Sequence, residues 1–297
     1  MRPPGLCLAL DIGGTKLAVA LAGRGGELVF QDRIATPRVS DASALYGVVK
    51  HLCQLAAEAA DAREIDVVGV GCGGPMTASG EAVSPLNIPA WRSFPLHRAL
   101  QVTATELLGR PTPVFVDNDA KAIALAEGWL GAARGERNYL AMVVSTGVGG
   151  GIVLDGRLLE GAAGNAGHIG HVIVEPGGRK CACGARGCLE AEASGSAIAA
   201  MSGHPASEAP VEIIERTGAL VGRAVASVAN LLDLQLAVVG GSVALGFGTG
   251  FFRAAERELG LSASLDHSRD CRIVPAGLGE TAPLIGAAAV GWRGLSS

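Results

Sequence analysis

The chain has 297 residues, with 24 basic and 28 acidic side chains and a formal net charge of −4. Apolar residues make up 49% and charged residues 18%, which excludes an intrinsically disordered chain. The negative balance and the lack of a Lys/Arg run argue against nucleic acid or an anionic membrane as the main partner. Glycine is frequent, with 44 residues, so the backbone either turns often or comes close to something many times.

Two apolar stretches raise the question of a membrane or secretory segment. The longest uncharged stretch, 234–252, contains Gly240-Gly241, which is typical of a turn rather than of a membrane helix. The apolar run near the N-terminus is too short for a signal peptide. We therefore expect a soluble, cytoplasmic protein without a membrane partner.

The first half of the chain alternates strands with helices. Apolar runs bounded by turn residues predict strands over 6–11, 16–22, 27–34, 66–71 and 113–116. Helical periodicity predicts a helix that begins at Asp41 or Ser43 and ends near Ala60, and further helices over 96–108 and 120–131. This alternation indicates an α/β protein.

The second half repeats the opening pattern. We predict strands over 140–145, 152–154 and 157–159, with a glycine-rich turn over 147–151, then a helix over 211–232, a strand over 236–239 and a last helix over 282–292. We interpret Gly246, Gly248 and Gly250 as turn residues. The shared order of strand, glycine turn, strand, tight turn and strand favours a duplicated domain core. Such hairpins also occur in unrelated α/β proteins, and this alternative stays open.

The segment from Asp11 to Lys16, DIGGTK, is a candidate phosphate loop between two strands. The amides of Gly13 and Gly14, the Thr15 hydroxyl and the Lys16 charge suit phosphate oxygens, and Asp11 can hold Mg²⁺ through water. The segment is neither a Walker loop nor a Rossmann fingerprint, because it opens a strand and not a helix. A structural hairpin is the alternative for this segment alone.

A second glycine-rich segment favours phosphate binding over a merely structural hairpin. Its candidate phosphate-binding residues are Thr146, Gly147, Gly149 and Gly150. We expect the two loops to bind one polyphosphate from opposite domains.

The tripeptide Asp117-Asn118-Asp119 lies between the two loops, where a strand ends and a helix begins. In the functional interpretation, Asp119 is a general base that takes a proton from a substrate hydroxyl, and Asn118 orients that hydroxyl. In the structural interpretation, the carboxylate only caps the helix.

A cysteine cluster follows in the second half. Cys181, Cys183 and Cys188 lie within a short glycine-rich segment, and His171 lies upstream. Three cysteines and one histidine form a closed structural zinc set, and the glycines permit tight wrapping. The sequence therefore predicts a structural Zn²⁺ site.

These motifs together resemble the ROK family of sugar kinases, within the actin-like/hexokinase ATPase superfamily. The resemblance spans nearly the whole chain, through DIGGTK at 11–16, GCGGP at 71–75, VDNDA at 116–120, STGVGGGIV at 145–153, AGHIGH at 166–171, CACGARGCLE at 181–190 and VVGGSV at 238–243.

The resemblance implies a two-lobe, actin-like (ribonuclease H-like) ATPase fold with a central cleft. The first lobe would comprise 1–118 with a C-terminal helix over 282–297, and the second would comprise 119–281 with a zinc-binding segment at 171–188. It implies ATP with Mg²⁺ as cofactor, Asp119 as the base, phosphorylation of a hexose at its 6-hydroxyl, and a homodimer.

The resemblance also implies roles for individual residues. His171 would hold zinc through one ring nitrogen and face the sugar with the other, and Glu190 would accept hydrogen bonds from sugar hydroxyls. The remaining implied sugar-binding residues are Gly74, Asn87, Asn118, Asp119 and His168, and Gly241 would contact the nucleotide.

Two departures from the family pattern bear on the substrate. Most glucokinases of the family have AGEIGH, and here His168 replaces that glutamate; imidazole can donate a hydrogen bond, which a carboxylate cannot. AGHIGH and VVGGSV resemble bacterial N-acetylmannosamine kinases, so N-acetylmannosamine is the preferred substrate. A role for His168 as a loop residue without sugar contact is the alternative.

The second departure is that the family's ENDAN is here DNDAK, from Asp117 to Lys121, which leaves the base in place.

Two other functions compete with this hypothesis. One is a glucokinase that uses ATP or polyphosphate. The other is a non-catalytic, sugar-sensing regulator, but the early position of Asp11 leaves no room for a preceding DNA-binding domain, and Asp119 is present.

Overall fold

The computed structural model describes residues 5–60, 64–77 and 80–296. The first four residues of the expected first domain and the expected end of the last helix at Ser297 lie outside this part. The chain divides into two compact units, one comprising 1–126, 160–165 and 280–297, and the other 127–159 and 166–279. The sequence-based boundaries had assigned 119–126 and 160–165 to the second domain. Hydrogen bonds from Lys121 to Glu160 and to the Gly164 carbonyl attach the segment 160–165 to the first unit.

The first unit is built on a five-stranded mixed sheet. Its strands are β1 (Leu6–Ile12), β2 (Lys16–Ala22), β3 (Leu28–Ala35), β4 (Ile65–Cys72) and β5 (Val114–Asn118), in the order β3-β2-β1-β4-β5. The pairs β1–β2 and β2–β3 are antiparallel, and β1–β4 and β4–β5 are parallel. Strand β1 is buried along its whole length, which explains its almost uninterrupted apolar sequence.

Four helices accompany this sheet: α1 (Ala42–Ala59), α2 (Leu96–Leu108), α3 (Asp119–Trp129, in this unit as far as Ala126) and α8 (Ala282–Ser296). Helix α1 begins where Asp41 accepts a hydrogen bond from the Ser43 amide at 2.9 Å. Helix α2 ends at Gly109, whose left-handed conformation is typical of a helix C-terminus.

The second unit contains another five-stranded sheet. Its strands are β6 (Tyr139–Val144), β7 (Val148–Leu154), β8 (Arg157–Leu158), β9 (Leu236–Gly240) and β10 (Arg272–Pro275), in the order β10-β9-β6-β7-β8. Its helices are α4 (Leu189–Ala193), α5 (Gly195–Ser202), α6 (Val211–Leu232) and α7 (Ser242–Ser262). The sheet has the same strand order and strand directions as the first. This identity of topology supports the predicted duplication of a domain core.

Helix α7 corrects the prediction of turns at Gly246 and Gly250, whose backbones are helical. Gly248 also lies within the bounds of α7, but its φ of 59° is non-helical, and a kink divides the helix there, as a turn residue would predict. Beyond this kink, α7 packs closely against α6. A Cβ atom at Gly218 or Gly222 of α6 would lie 2.3 Å from a carbonyl oxygen of α7, at Phe251 and Ala255 respectively. The two helices therefore pack in direct backbone contact on the C-terminal side of the kink.

Within the part of the chain that the structure describes, no helix has both the length and the apolar character needed to span a bilayer. The uncharged stretch 234–252 is instead divided between β9 and α7.

Helix α8 packs on the first sheet through glycines. A Cβ atom at Gly69 of β4 would lie 2.0 Å from the Ala287 carbonyl oxygen and 2.7 Å from the Gly291 amide nitrogen. The Trp292 indole donates a hydrogen bond to the Gly23 carbonyl at 3.2 Å. The strand and the helix therefore have no room for a side chain between them.

We expect Gly69→Ala to destabilise the first unit by about 3 kcal/mol or more, because the added methyl group forces α8 away from β4. Gly47→Ala is the matched control, since a Cβ atom there meets nothing within 4 Å. This alanine, in the middle of α1, should stabilise the first unit by about 0.5–1 kcal/mol, because alanine favours the helix more than glycine does. Thermal unfolding of the purified variants measures both effects. Equal unfolding midpoints for the two variants would contradict the packing of α8 described above.

Candidate active site

The carboxyl ends of the parallel strands in the first unit bring several predicted residues together. In the register of the sheet, Asp11 pairs with Gly71 and Gly71 with Asp117, and one position further Cys72 pairs with Asn118. Ligand sites of α/β sheets form at such strand ends. The phosphate loop, the Gly73-Gly74 segment and the start of α3 therefore share one edge of the sheet.

The phosphate loop is a tight turn between β1 and β2. The Gly13 amide donates to the Lys16 carbonyl at 3.1 Å, and the Thr36 hydroxyl donates to the Gly13 carbonyl at 2.7 Å. A Cβ atom at Gly14 would lie 2.4 Å from Cβ of Asn87 and 2.8 Å from its carbonyl oxygen. Glycine is therefore required at position 14, and Asn87 lies directly against the loop.

Asp11 is a buried carboxyl, with 8% of its surface exposed. Burial raises its pKa to about 7, the charge of Asp119 adds to the rise, and Lys16 opposes it. Burial, Asp119 and Asp11 likewise raise the pKa of the Cys72 thiol between them. Two carboxyl groups that repel each other at a strand end suit a divalent cation with oxygen ligands, and Mg²⁺ is such a cation. Asp11 thus lies where the predicted magnesium would relieve this repulsion.

Asn118 occupies the cap position of helix α3. Its Oδ1 atom accepts from the Ala120 amide at 3.1 Å, and its Nδ2 atom would lie 3.4 Å from a Cβ atom at Gly74. The Asp119 Oδ1 atom accepts from the same amide at 2.8 Å, and its Oδ2 atom would lie 3.8 Å from a Cβ atom at Gly73. Both side chains therefore contact the start of the helix, and Asn118 holds the position from which a side chain ordinarily caps it.

A pocket of about 360 Å³ adjoins the phosphate loop within the first unit. It carries both charge signs: Lys16 and Arg33 are its cations, and Asp11, Asp32 and Glu280 are its acids. Arg33 and Glu280 lie 3.6 Å apart and are both exposed. The pocket has room for a small anionic group beside Asp11 and Lys16.

The glycine-rich turn of the second unit is shorter than predicted. The turn comprises Ser145, Thr146 and Gly147, with the Ser145 amide donating to the Gly147 carbonyl at 2.8 Å, and β7 already begins at Val148. Gly149 and Gly150 therefore lie in a strand, which corrects the expected turn over 147–151. A Cβ atom at Gly150 would lie 2.8 Å from the Ile169 side chain. The strand glycines thus make room for the segment before His171.

Gly241 lies close to this turn. Its φ is 95°, and a Cβ atom there would lie 2.3 Å from the Val144 carbonyl oxygen. The hydroxyl groups of Ser145 and Ser242 are 2.9 Å apart and link the two loops. Thr146, Gly147 and Gly241 are therefore brought together at the ends of β6 and β9.

Glu190 lies behind the same turn. Its carboxylate accepts a hydrogen bond from the Val148 amide. Burial raises its pKa, while this hydrogen bond and the charge of His171 oppose the rise. A Cβ atom at Gly147 would lie 3.1 Å from Glu190 Oε1. Glu190 thus connects the turn with His171.

The four predicted metal ligands converge. The ligand atoms of His171, Cys181, Cys183 and Cys188 all lie within 4.8 Å of one another. His171 Nδ1 is 3.8 Å from Cys181 Sγ, and Cys183 Sγ is 3.7 Å from Cys188 Sγ. This set of one imidazole and three thiols could hold a metal ion.

The glycines of the cysteine segment are needed for its shape. The Gly184 amide donates to the Cys181 carbonyl at 3.0 Å, which closes a turn around the first two cysteines. Gly187 has φ of 74°, and a Cβ atom there would lie 1.7 Å from the Glu175 carbonyl oxygen. Only glycine fits at position 187.

His168 lies beside the metal-ligand set. Its ring is nearly parallel to that of His171, with 6.2 Å between the ring centroids. Because Nδ1 of His171 faces the cysteines, its other nitrogen is available on the opposite side of the ring. The second unit therefore brings together His168, His171 and Glu190, which the sequence analysis assigned to sugar binding.

Sequence reasoning missed Glu192, whose carboxylate is buried. It accepts from the Arg179 amide at 2.6 Å and from the Arg216 guanidinium at 2.7 Å, and so attaches the cysteine segment to α6. Burial raises the pKa of Glu192, but these hydrogen bonds outweigh burial and leave the pKa below its ordinary value. The sequence carries no signal for this role, because Arg216 is distant along the chain.

Comparisons with known proteins agree with the motifs. The model of the ROK family matches residues 7–292. An N-acetylmannosamine kinase from Pasteurella multocida (strain Pm70) is 36% identical over 95% of this chain and 95% of its own. The ROK hexokinase from Thermus thermophilus has a TM-score of 0.84 and 32% identity, covering 98% of this chain and 99% of that one. A ROK family glucokinase from Streptomyces griseus, solved with glucose and AMPPNP, has a TM-score of 0.79 and 28% identity, covering 97% and 100%.

Proposed function

Since this chain belongs to the ROK family, we propose that it is an ATP-dependent sugar kinase that phosphorylates the 6-hydroxyl of N-acetylmannosamine. The expected fold class, an α/β actin-like ATPase fold, is confirmed. The observation that carries the proposal is the strand-end group of Asp11, Gly73-Gly74 and Asp119, with Asn118 at the cap position of α3.

In this mechanism Asp119 accepts the proton of the sugar hydroxyl as that oxygen attacks the γ-phosphorus of ATP, and the bond from this phosphorus to ADP breaks so that ADP leaves. Asn118 orients the hydroxyl, and the amides of Gly13 and Gly14 with Lys16 hold phosphate oxygens. Asp11 would hold the Mg²⁺ of the nucleotide, which when bound neutralises charge that develops on the phosphate. Phosphoryl transfer depends mainly on such positioning and charge stabilisation.

The first prediction for this mechanism concerns Asp119. We expect Asp119→Asn to lower kcat by about 100-fold or more while leaving the sugar Kd within about twofold, because the amide cannot accept the proton. Asp270→Asn is the control, since Asp270 is an exposed aspartate of the second unit. Steady-state kinetics and calorimetric titration of the sugar measure the two effects. A variant at position 119 with most of the wild-type kcat would refute the role of base.

The second prediction concerns the substrate. His168 offers a ring N–H where most glucokinases of the family have a carboxylate, and a ring N–H can donate to the carbonyl of an N-acetyl group. The identity to N-acetylmannosamine kinases supports the same choice. We expect kcat/KM for N-acetylmannosamine to exceed that for glucose, mannose and N-acetylglucosamine.

A coupled assay of ADP release with these four sugars tests the substrate, and NMR of the product identifies the phosphorylated hydroxyl. A parallel assay with polyphosphate tests the donor. A preference for glucose would favour the glucokinase alternative and refute the role of His168. Sugar binding without turnover would favour the regulator.

The four-ligand set supports a structural Zn²⁺, because three thiolates and an imidazole match its preferred ligands. Zinc would fix the ring orientation of His171 and so shape the sugar site. We expect Cys183→Ser to reduce bound zinc well below one ion per chain and to raise the sugar KM. Cys271→Ser is the control, because Cys271 lies outside the set.

Metal analysis by mass spectrometry and sugar kinetics measure both effects, with zinc added back after chelation. Full zinc in Cys183→Ser, or unchanged sugar kinetics in metal-free protein, would contradict the assignment. The homodimer and the cytoplasmic location stay predictions from the sequence.

A further inference from the structure

Lys121 is the only lysine or arginine among the described residues whose side chain is fully buried, with 1% of its surface exposed. It lies on α3, two positions after Asp119. A buried ammonium group is costly unless it is paired and hydrogen-bonded, so its partners indicate why it is there. The proposed catalytic mechanism does not use it.

The ammonium group of Lys121 holds both ends of one short segment. It donates to Glu160 Oε2 at 2.5 Å and to the Gly164 carbonyl at 2.8 Å. The segment 160–165 belongs to the first unit although the residues on both sides of it belong to the second. Along the chain it continues through Ala166 and Gly167 to His168. The anchored segment therefore ends three residues before a proposed sugar-binding residue.

Lys121 and its partners form a group of two cations and two acids. Lys121 Nζ lies 3.8 Å from Asp117 Oδ1, and Arg293 of α8 lies 2.8 Å from Glu160 and 3.5 Å from Asp117. Burial raises the pKa of Glu160, but hydrogen bonds from Lys121 and Arg293 outweigh it and keep the pKa below its ordinary value. Glu160 is therefore ionised at neutral pH.

The group also explains the departure from the family's ENDAN pattern. The two positions that differ here are Asp117 and Lys121, and the structure places them in one ion pair. The Lys121 ammonium group carries three donors on a long side chain, and two of them hold a carboxylate and a carbonyl at once. The two differences thus act together on the segment 160–165.

We propose that Lys121 is a positioning residue for the sugar. From α3, the helix that also carries Asp119, Lys121 anchors the segment that leads to His168. This inference rests on the proposed sugar kinase function and adds a specificity role within it. Loss of the anchor should weaken sugar binding and leave ATP binding intact, since the hydrogen bonds described for Lys121 go to Glu160 and Gly164 and not to the phosphate loop.

Lys121→Met tests the proposal, because methionine is similar in length and leaves Glu160 paired with Arg293. We expect the sugar KM and Kd to rise about tenfold while the KM for ATP and kcat change by less than about threefold. Glu160→Ala removes the other side of the contact at a half-exposed residue and should raise the sugar KM in the same way. It tests the proposal even if Lys121→Met fails to fold.

Lys50→Met is the matched control. It removes a lysine ion pair of the same unit, that with Glu106 at 2.7 Å, which is exposed to solvent. All kinetic constants of this variant should equal those of the wild type. The double variant Lys121→Met/Glu160→Ala should have a sugar Kd no higher than that of the weaker-binding single variant, because each substitution removes the same contact.

A folded Lys121→Met or Glu160→Ala variant with an unchanged sugar KM would overturn the inference while leaving the kinase proposal intact. Equal increases of KM for sugar and ATP, or a loss of kcat alone, would also overturn it. A wild-type chain that phosphorylates no sugar would refute the proposed function itself, and this inference with it.

Discussion

Carboxylates crowded at one sheet edge are the constraint on which the first unit depends. Because β1, β4 and β5 are parallel, their carboxyl ends bring Asp11 close to the segment from Asp117 to Asp119. Burial and repulsion between carboxylates oppose their ionisation, so each needs a nearby cation or hydrogen-bond donor. Lys16 acts on Asp11, while Lys121 and Arg293 act on Asp117. A nucleotide with its magnesium would add the cation that this edge still requires when it is ionised.

The glycine content follows from a second constraint, which is close backbone approach. At Gly14, Gly69, Gly187 and Gly241, a Cβ atom would lie within 2.4 Å of a neighbouring atom. The neighbours differ. They are, in the same order, Asn87, the Ala287 carbonyl of helix α8, the Glu175 carbonyl and the Val144 carbonyl at the end of β6. The same property therefore serves both the candidate site and the packing of helices, and glycine content alone does not distinguish these uses.

Sequence reasoning was most accurate where a local pattern decides the structure. The bounds of α2 and α6, the phosphate turn between β1 and β2, and the convergence of His171 with the three cysteines all agree with the structure. It failed where packing overrides local preference. Gly149 and Gly150 join a strand because β6 pairs with them, and Gly246 and Gly250 lie within α7 on either side of its kink at Gly248.

The sequence by itself determined the α/β class, the family, the turn of the candidate phosphate loop and the set of four residues that could hold a metal ion, because these depend on residue type and short spacing. Only the tertiary structure decided which charged residues, distant from each other in sequence, form ion pairs. The segment 160–165 joins the first unit through Lys121, and Glu192 attaches the cysteine segment to α6 through Arg216. These partners depend on burial and on contacts between distant elements, and no local pattern contains either.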